Sequence, residues 1–154
     1  MSRKRFTHMN CGVAQALERI GDWWTVLIVR DAMFGATRFQ QFEESLGISK
    51  NILSDRLAKL VDDGMMERER LNEPGERYAY RLTKMGRDLW VVLTALRLWS
   101  DKWIFGEGAE PLTARDRTTG RAMKRLIAVD EDGQPIDLRN LEWTFHLPTS
   151  EDAP

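Results

Sequence analysis

The stretch that sets the fold runs from Arg38 to Arg81: RFQQFEESLGISKNILSDRLAKLVDDGMMERERLNEPGERYAYR. Phe39, Phe42 and Leu46 recur at helical spacing, which gives a first short helix one apolar face. Gly47-Ile48-Ser49 interrupts that run. Gly47 suits the positive-φ position that closes a helix, and Ser49 suits the N-cap that opens the next. From Ser49 onward Leu53, Leu57, Leu60 and Val61 form one stripe, leaving Lys50, Asn51, Ser54, Asp55, Ala58 and Lys59 outside it. Beyond Gly64, Met66, Arg68 and Arg70 alternate with Glu67 and Glu69. Asn72-Glu73-Pro74-Gly75 reads as a turn, and Tyr78, Tyr80 and Leu82 recur at period two on a returning strand.

Two short helices joined by a tight turn match the helix-turn-helix pattern, whose second helix enters a DNA major groove. A basic hairpin directly after that helix is a wing, placed to reach the backbone or the minor groove. On the second helix Lys50, Asn51, Ser54 and Asp55 are the candidate base readers, with the N-cap Ser49 among the expected DNA-binding residues: Asn suits adenine, Lys suits guanine, and Asp55, which phosphates would repel, can accept from cytosine N4 or orient Arg56. Arg56 and Lys59 are candidates for phosphates, as are Arg68, Arg70, Arg77 and Tyr78 on the wing. Arg38 opens the first helix, where backbone amides also favour a phosphate. The bland alternative is an interaction module in which the same surface binds protein without direct DNA readout. An apolar recognition face would favour that, and this one is polar.

The expected fold class is α+β: a mainly helical winged helix-turn-helix with a two-stranded wing, a long C-terminal helix and a small β appendage. At 154 residues the chain can bury a sizeable core, and 42% hydrophobic with 31% charged residues fits a soluble globular protein. No apolar run approaches the roughly 20 residues that a membrane helix needs. MSRKRFTHMN lacks the apolar segment of a secretory signal, and one cysteine excludes an intramolecular disulfide framework, so the expected compartment is the cytoplasm. Net charge is −1 overall, but residues 1–104 carry 17 Lys/Arg against 14 Asp/Glu, while residues 105–154 carry 6 against 10. The DNA-facing part is therefore mildly basic and the tail acidic. Local phosphate contacts, not the chain average, set electrostatic affinity. There is no Gly-rich phosphate loop, no HExxH and no nucleophile elbow, and His8 and His146 lie far apart, so neither an enzyme nor a cofactor is expected.

Arg3, Lys4 and Arg5 form a basic arm ahead of a short helix over Val13–Ile20. Asp22 is a candidate N-cap for Trp23–Met33, apolar nearly all round and so expected to be the central buried helix, with Trp23 and Trp24 in the core. Thr37 is positioned to cap the helix that begins at Arg38. Thr83 caps a long helix expected to run to about Ile104, whose stripe holds Leu89, Val92, Leu93, Leu96, Trp99 and Trp103. That apolar area exceeds what a small winged domain covers. With Val13 and Leu17 it is assigned to a two-fold homodimer, which would present two recognition helices to the half-sites of a palindromic operator. The domains are then residues 1–105, for DNA binding and dimerisation, and 106–154. In the latter, GEGAEP is a linker, and strands are expected at Leu126–Val129 and Leu141–Leu147 around a turn at Asp130–Gly133.

From Cys11 to Trp103 the chain resembles the HxlR family of bacterial transcription regulators, relatives of the MarR winged-helix proteins. The matching residues are Cys11; Gly21-Asp22-Trp23-Trp24-Thr25; Arg38-Phe39; Gly47-Ile48-Ser49 with Leu53, Arg56-Leu57 and Leu60; Asp63-Gly64 and Arg68; and Pro74, Tyr80, Leu82-Thr83, Gly86 and Trp99. The resemblance implies a homodimeric repressor or activator whose first and last helices build the interface. The tail also resembles a zinc-ribbon-like extension of some members, but Arg117–Gly120 and Val129–Gly133 carry no cysteine. Zinc needs about four N/S ligands, and Asp130, Asp132 and His146 do not supply them, so a metal-free hairpin is expected.

Some HxlR relatives use a cysteine at the place of Cys11 to sense oxidants or electrophiles. Cys11 is therefore the candidate redox sensor, with the basic arm and His8 as groups that would favour its thiolate. A lone cysteine at a helix start is also commonly inert. A small-molecule effector is the remaining candidate partner, with an apolar pocket between Trp23/Trp24 and the last helix as its expected place.

Overall fold

A computed structural model describes Phe6, residues 9–72 and residues 78–144. The chain divides into two compact units, Met1–Leu93 and Thr94–Pro154.

In the first unit, helices α1 (Gly12–Ile20), α2 (Trp23–Met33), α3 (Phe39–Leu46) and α4 (Lys50–Asp62) precede strands β1 (Met66–Arg70) and β2 (Tyr78–Leu82). Helix α5 (Lys84–Asp88) follows, and α6 (Trp90–Ser100) begins here and runs on into the second unit. The caps fall where side-chain chemistry puts them. Asp22 Oδ1 accepts from Trp24 N at 3.0 Å and Thr25 N at 3.2 Å, which opens α2. Gly47 closes α3 at φ +60°, a left-handed geometry that costs glycine little. Ser49 then caps α4 through Ile52 N, and Thr83 Oγ1 caps α5 by accepting from Gly86 N at 3.2 Å.

The core is one cluster: Ile28 and Val29 from α2, Phe42 from α3, Ile48 from the turn, Leu53, Leu57 and Leu60 from α4, and Met65 and Met66 at the wing base. The leucine stripe of α4 is thus the face that docks, which forces Asn51, Ser54 and Asp55 outward. The wing pairs antiparallel, with Met66 opposite Leu82, Arg68 opposite Tyr80 and Arg70 opposite Tyr78. A third segment joins it: Arg38 bridges Ala79, and Tyr80 N donates to Thr37 O at 2.8 Å.

Several expectations change. Trp23 is 74% exposed rather than a core residue, because α2 docks through Thr25, Ile28 and Val29 on its other side, while Trp24 packs partly against the core. The N-cap of α3 is Arg38, not Thr37; the amides of both residues donate to Gln41 Oε1, at 3.0 and 2.8 Å, so the cap is closed from inside the helix. The single helix expected from Thr83 to Ile104 is three pieces. Helix α5 stops at Asp88, Leu89 turns, and α6 gives way to a π turn at Asp101–Phe105; Gly86 within α5 lies against the Met65 carbonyl. Leu89 and Leu93 pack against the core, whereas Val92, Leu96, Trp99 and Trp103 stay exposed.

In the second unit Arg97 pairs with Asp101 at 2.6 Å across one helical turn. The strand expected at Leu126–Val129 does not form. Its residues are largely exposed, and isolated bridges Arg115–Ala122 and Val129–Pro135 close two turns instead. Asp116 Oδ1 accepts from Thr118 N at 3.1 Å and Thr119 N at 2.6 Å; Asp130 Oδ1 accepts from Asp132 N at 3.0 Å and Gln134 N at 2.8 Å. Residues 141–144 form no strand, and 145–147 lie outside the described residues.

Candidate nucleic-acid interface

Helix α4 carries the surface. With Leu53, Leu57 and Leu60 fully buried, the helix presents Lys50, Asn51, Ile52, Ser54, Asp55 and Ala58 to solvent. Lys50 Nζ lies 4.0 Å from Glu43 Oε1, a loose contact on an exposed side chain that leaves the ammonium available. Asp55 has no ion pair among the described residues, so it can accept from a base edge. Ser49, the N-cap, is exposed at the same end.

Two of the expected phosphate contacts are already engaged. Arg56 Nε donates to Asp22 Oδ1 at 3.0 Å, the oxygen that also caps α2. Lys59 pairs with Asp63 one turn later. Both cations are half-buried, so their first role in the free protein is to fix α4: Arg56 against α2, Lys59 against its own C-terminus. The Asp22–Arg56 contact links residues 34 apart and had no signal in the sequence beyond the good cap at Asp22.

The wing stands at the other end of the surface. The Arg68 guanidinium lies 4.5 Å from the Tyr78 ring centroid, a cation–π contact that orients it. Arg70 is exposed opposite Tyr78, and Arg81 pairs with Glu69 at 3.3 Å on the other face. Burial pushes the Tyr80 hydroxyl above its ordinary pKa, with Arg68 beside it pulling the other way. Residues 73–77, which include Arg77 and most of the turn expected at Asn72–Gly75, lie outside the described residues. Arg38 is half-buried, its backbone tied to Ala79, so it joins helix and wing at their root. Ile52 is the surface residue that polar-face reasoning passed over; its exposure on a leucine-patterned helix is visible only once the docking face is fixed.

A polar, outward-facing second helix followed by an arginine hairpin is the arrangement that major-groove recognition needs. The family model described as HxlR-like helix-turn-helix matches residues 19–107, which take in α2 to α6 and the wing. The chain belongs to the HxlR-like family. It is 37% identical over 129 residues to the HTH-type transcriptional regulator Rv3095 of Mycobacterium tuberculosis, covering 84% of this chain and 82% of that one. The crystal structure of PA1607, described as a candidate transcription factor, superposes with a TM-score of 0.81 at 37% identity, covering 92% of this chain and 99% of PA1607. That coverage exceeds what residues 1–105 supply, so PA1607 has a counterpart to most of the extension. The reduced form of the transcriptional regulator YodB of Bacillus subtilis gives a TM-score of 0.53 at 31% identity, covering 62% of this chain and 96% of YodB. This HxlR-like chain is a DNA-binding transcriptional regulator of winged helix-turn-helix fold, and its relatives are regulators rather than enzymes. Among the described residues no helix is long and apolar enough to cross a membrane.

Elsewhere, Cys11 is exposed at the N-cap of α1, while Arg3, Lys4, Arg5 and His8 lie outside the described residues. The pocket expected between Trp23/Trp24 and the last helix is instead an apolar recess lined by Ile20, Val26, Val29, Leu89 and Val92, with neither tryptophan in its wall. Trp23 points to solvent, which is why it cannot line that recess.

Proposed function

We propose that the protein works as a homodimer that binds a palindromic operator in the cytoplasm and represses transcription there. The observation that carries this reading is the exposed stripe of α6 and the π turn, Val92, Leu96, Trp99 and Trp103, at helical spacing; Val13 and Leu17 on α1 are exposed as well. A lone exposed leucine is ordinary, but two tryptophans and two aliphatics in register are a surface that pairs. Two-fold pairing would set the two α4 helices on successive half-sites, about 34 Å apart. In that assembly Lys50, Asn51, Ser54 and Asp55 read bases, Ser49 caps the helix at the DNA surface, and Arg38, Arg68, Arg70, Arg77 and Tyr78 hold the backbone. Arg56 and Lys59 position the helix and reach phosphates as they become available. Functionally, residues 1–105 bind DNA and dimerise, and residues 106–154 form an extension that holds no metal. In it Asp116 and Asp130 accept the amide hydrogens of their own turns. Stoichiometric zinc in purified protein would overturn the metal-free assignment.

Light scattering on purified protein, joined to a gel shift on the DNA upstream of its own gene with and without competitor, tests the central reading. A dimer that shifts this DNA specifically supports it, and a monomer at micromolar concentration overturns it. Cys11 is the proposed sensor, supported by its exposure and by the existence of a distinct reduced form of YodB. With no second cysteine, its only protein disulfide is to Cys11 of another subunit, and otherwise a small-molecule thiol must supply the partner. Wild type and Cys11→Ser that respond identically to diamide or a quinone would dispose of sensing. A small-molecule effector remains a proposal, tested by ligand-dependent melting.

A further inference from the structure

We propose that Ile52 is a specificity-determining residue that reads the 5-methyl group of thymine. The proposal rests on α4 being the helix that enters the groove. Ile52 lies in the first turn of α4, is 40% exposed, and takes no part in the cluster built by Leu53, Leu57 and Leu60. It shares the outward arc of the helix with Asp55 and Lys59, three and seven residues on. The other exposed residues of α4 are Lys50, Asn51, Ser54, Asp55 and Ala58, so Ile52 is the one large exposed apolar side chain on the helix.

That placement has a cost that folding does not repay. A β-branched residue is a weaker helix former than Lys, Glu or Ala, and here it gains no core burial. Residues in the first turns of a recognition helix meet base edges, and the major-groove edge offers one apolar group, the thymine methyl. Isoleucine can neither donate nor accept a hydrogen bond, so what it can discriminate among base edges is that methyl. Asn51 beside it suits adenine, which fits a site rich in A·T pairs. Ser49 fixes the turn by accepting from Ile52 N, so the side chain starts from a set backbone position.

The test uses the full chain. Wild type selects from a random duplex library, and the selected duplexes are resynthesised with deoxyuridine in place of each thymine in turn. At one thymine per half-site, deoxyuridine weakens wild-type binding about fourfold in fluorescence anisotropy, the value for returning one methyl group to water. Ile52→Ala binds the thymine and deoxyuridine duplexes alike, and Ile52→Val keeps part of the difference. Because Ile52 is outside the core, neither variant loses stability, and Ile52→Ala, with the better helix former, melts slightly above wild type. Wild type that binds both forms equally overturns the role of Ile52, as does an Ile52→Ala variant that still discriminates. A library from which wild type enriches nothing overturns the groove-reading role of α4 itself, so the two failures are distinct.

Discussion

Replacing Asp22 with alanine removes two interactions that meet at one carboxylate oxygen. Asp22 Oδ1 accepts from the amides of Trp24 and Thr25 and from Arg56 Nε at 3.0 Å. Losing an N-cap of this kind costs about 1 kcal/mol. The ion pair is worth about 1 kcal/mol at most, since the Arg56 and Asp22 side chains keep 31% and 20% of their exposure and water screens them. The total of about 2 kcal/mol lowers the Tm of a chain this size by roughly 4–8 °C. Asp22→Asn separates the two parts: asparagine still caps but carries no charge, so it loses only the pair, about 2–4 °C. In urea unfolding, the double-mutant cycle of Asp22→Asn with Arg56→Ala should return a coupling near 1 kcal/mol. Gel shifts on the same variants should show weaker specific binding, because α4 loses the contact that fixes it against α2. Equal destabilisation by Asn and Ala would refute the capping argument. Zero coupling in the cycle would refute the ion pair as a support of α4.

Gly86→Ala would place a Cβ 2.1 Å from the Met65 carbonyl oxygen, so α5 must shift; thermal melting should show a loss of about 2 kcal/mol, and a neutral variant would contradict the packing described. Arg70→Ala should weaken binding to all DNA sequences alike and reduce the slope of log affinity against log salt by about two, one phosphate per subunit of the dimer, as titrations at several salt concentrations would show. The amides of Thr119 and Thr118 hold the Asp116 carboxyl below the ordinary carboxylate range. A depressed folded pKa means this turn is stabilised above about pH 4 and loosens as the pH falls through the lower folded value. The Thr119 amide resonance should therefore titrate with a midpoint below that of a free aspartate, and an ordinary midpoint would remove the carboxylate from the turn. Leu96→Glu should convert a dimer to monomers in light scattering while leaving the Tm of a well-folded monomer measurable; an unchanged dimer moves the interface elsewhere.

Much of the first unit was legible because its signals are local. Gly47 and Ser49 mark the turn by backbone preference and capping, and the spacing of Leu53, Leu57 and Leu60 names the buried side of α4. What was illegible depends on partners distant in sequence. Trp23 sits in an apolar helix, and only the docking of Thr25, Ile28 and Val29 decides that it faces water. The last helix breaks at Leu89, between α5 and α6, and no periodicity in the apolar stripe reveals that turn. Arg56 read as a free cation until α2 brought Asp22 to it. In the extension the apolar run Leu126-Ile127-Ala128-Val129 looked like a strand, but its residues find no partner strand to bury them.

The stitch between Thr37–Arg38 and Ala79–Tyr80 fastens the hairpin to the entrance of α3. If α4 reads the groove and Arg68 and Arg70 hold the backbone as proposed, this stitch helps to set the reach between the two grips within one subunit. A duplex whose grooves do not match it has to bend or to forgo one of the two grips, so operator flexibility becomes a selectable property even at base pairs no side chain touches.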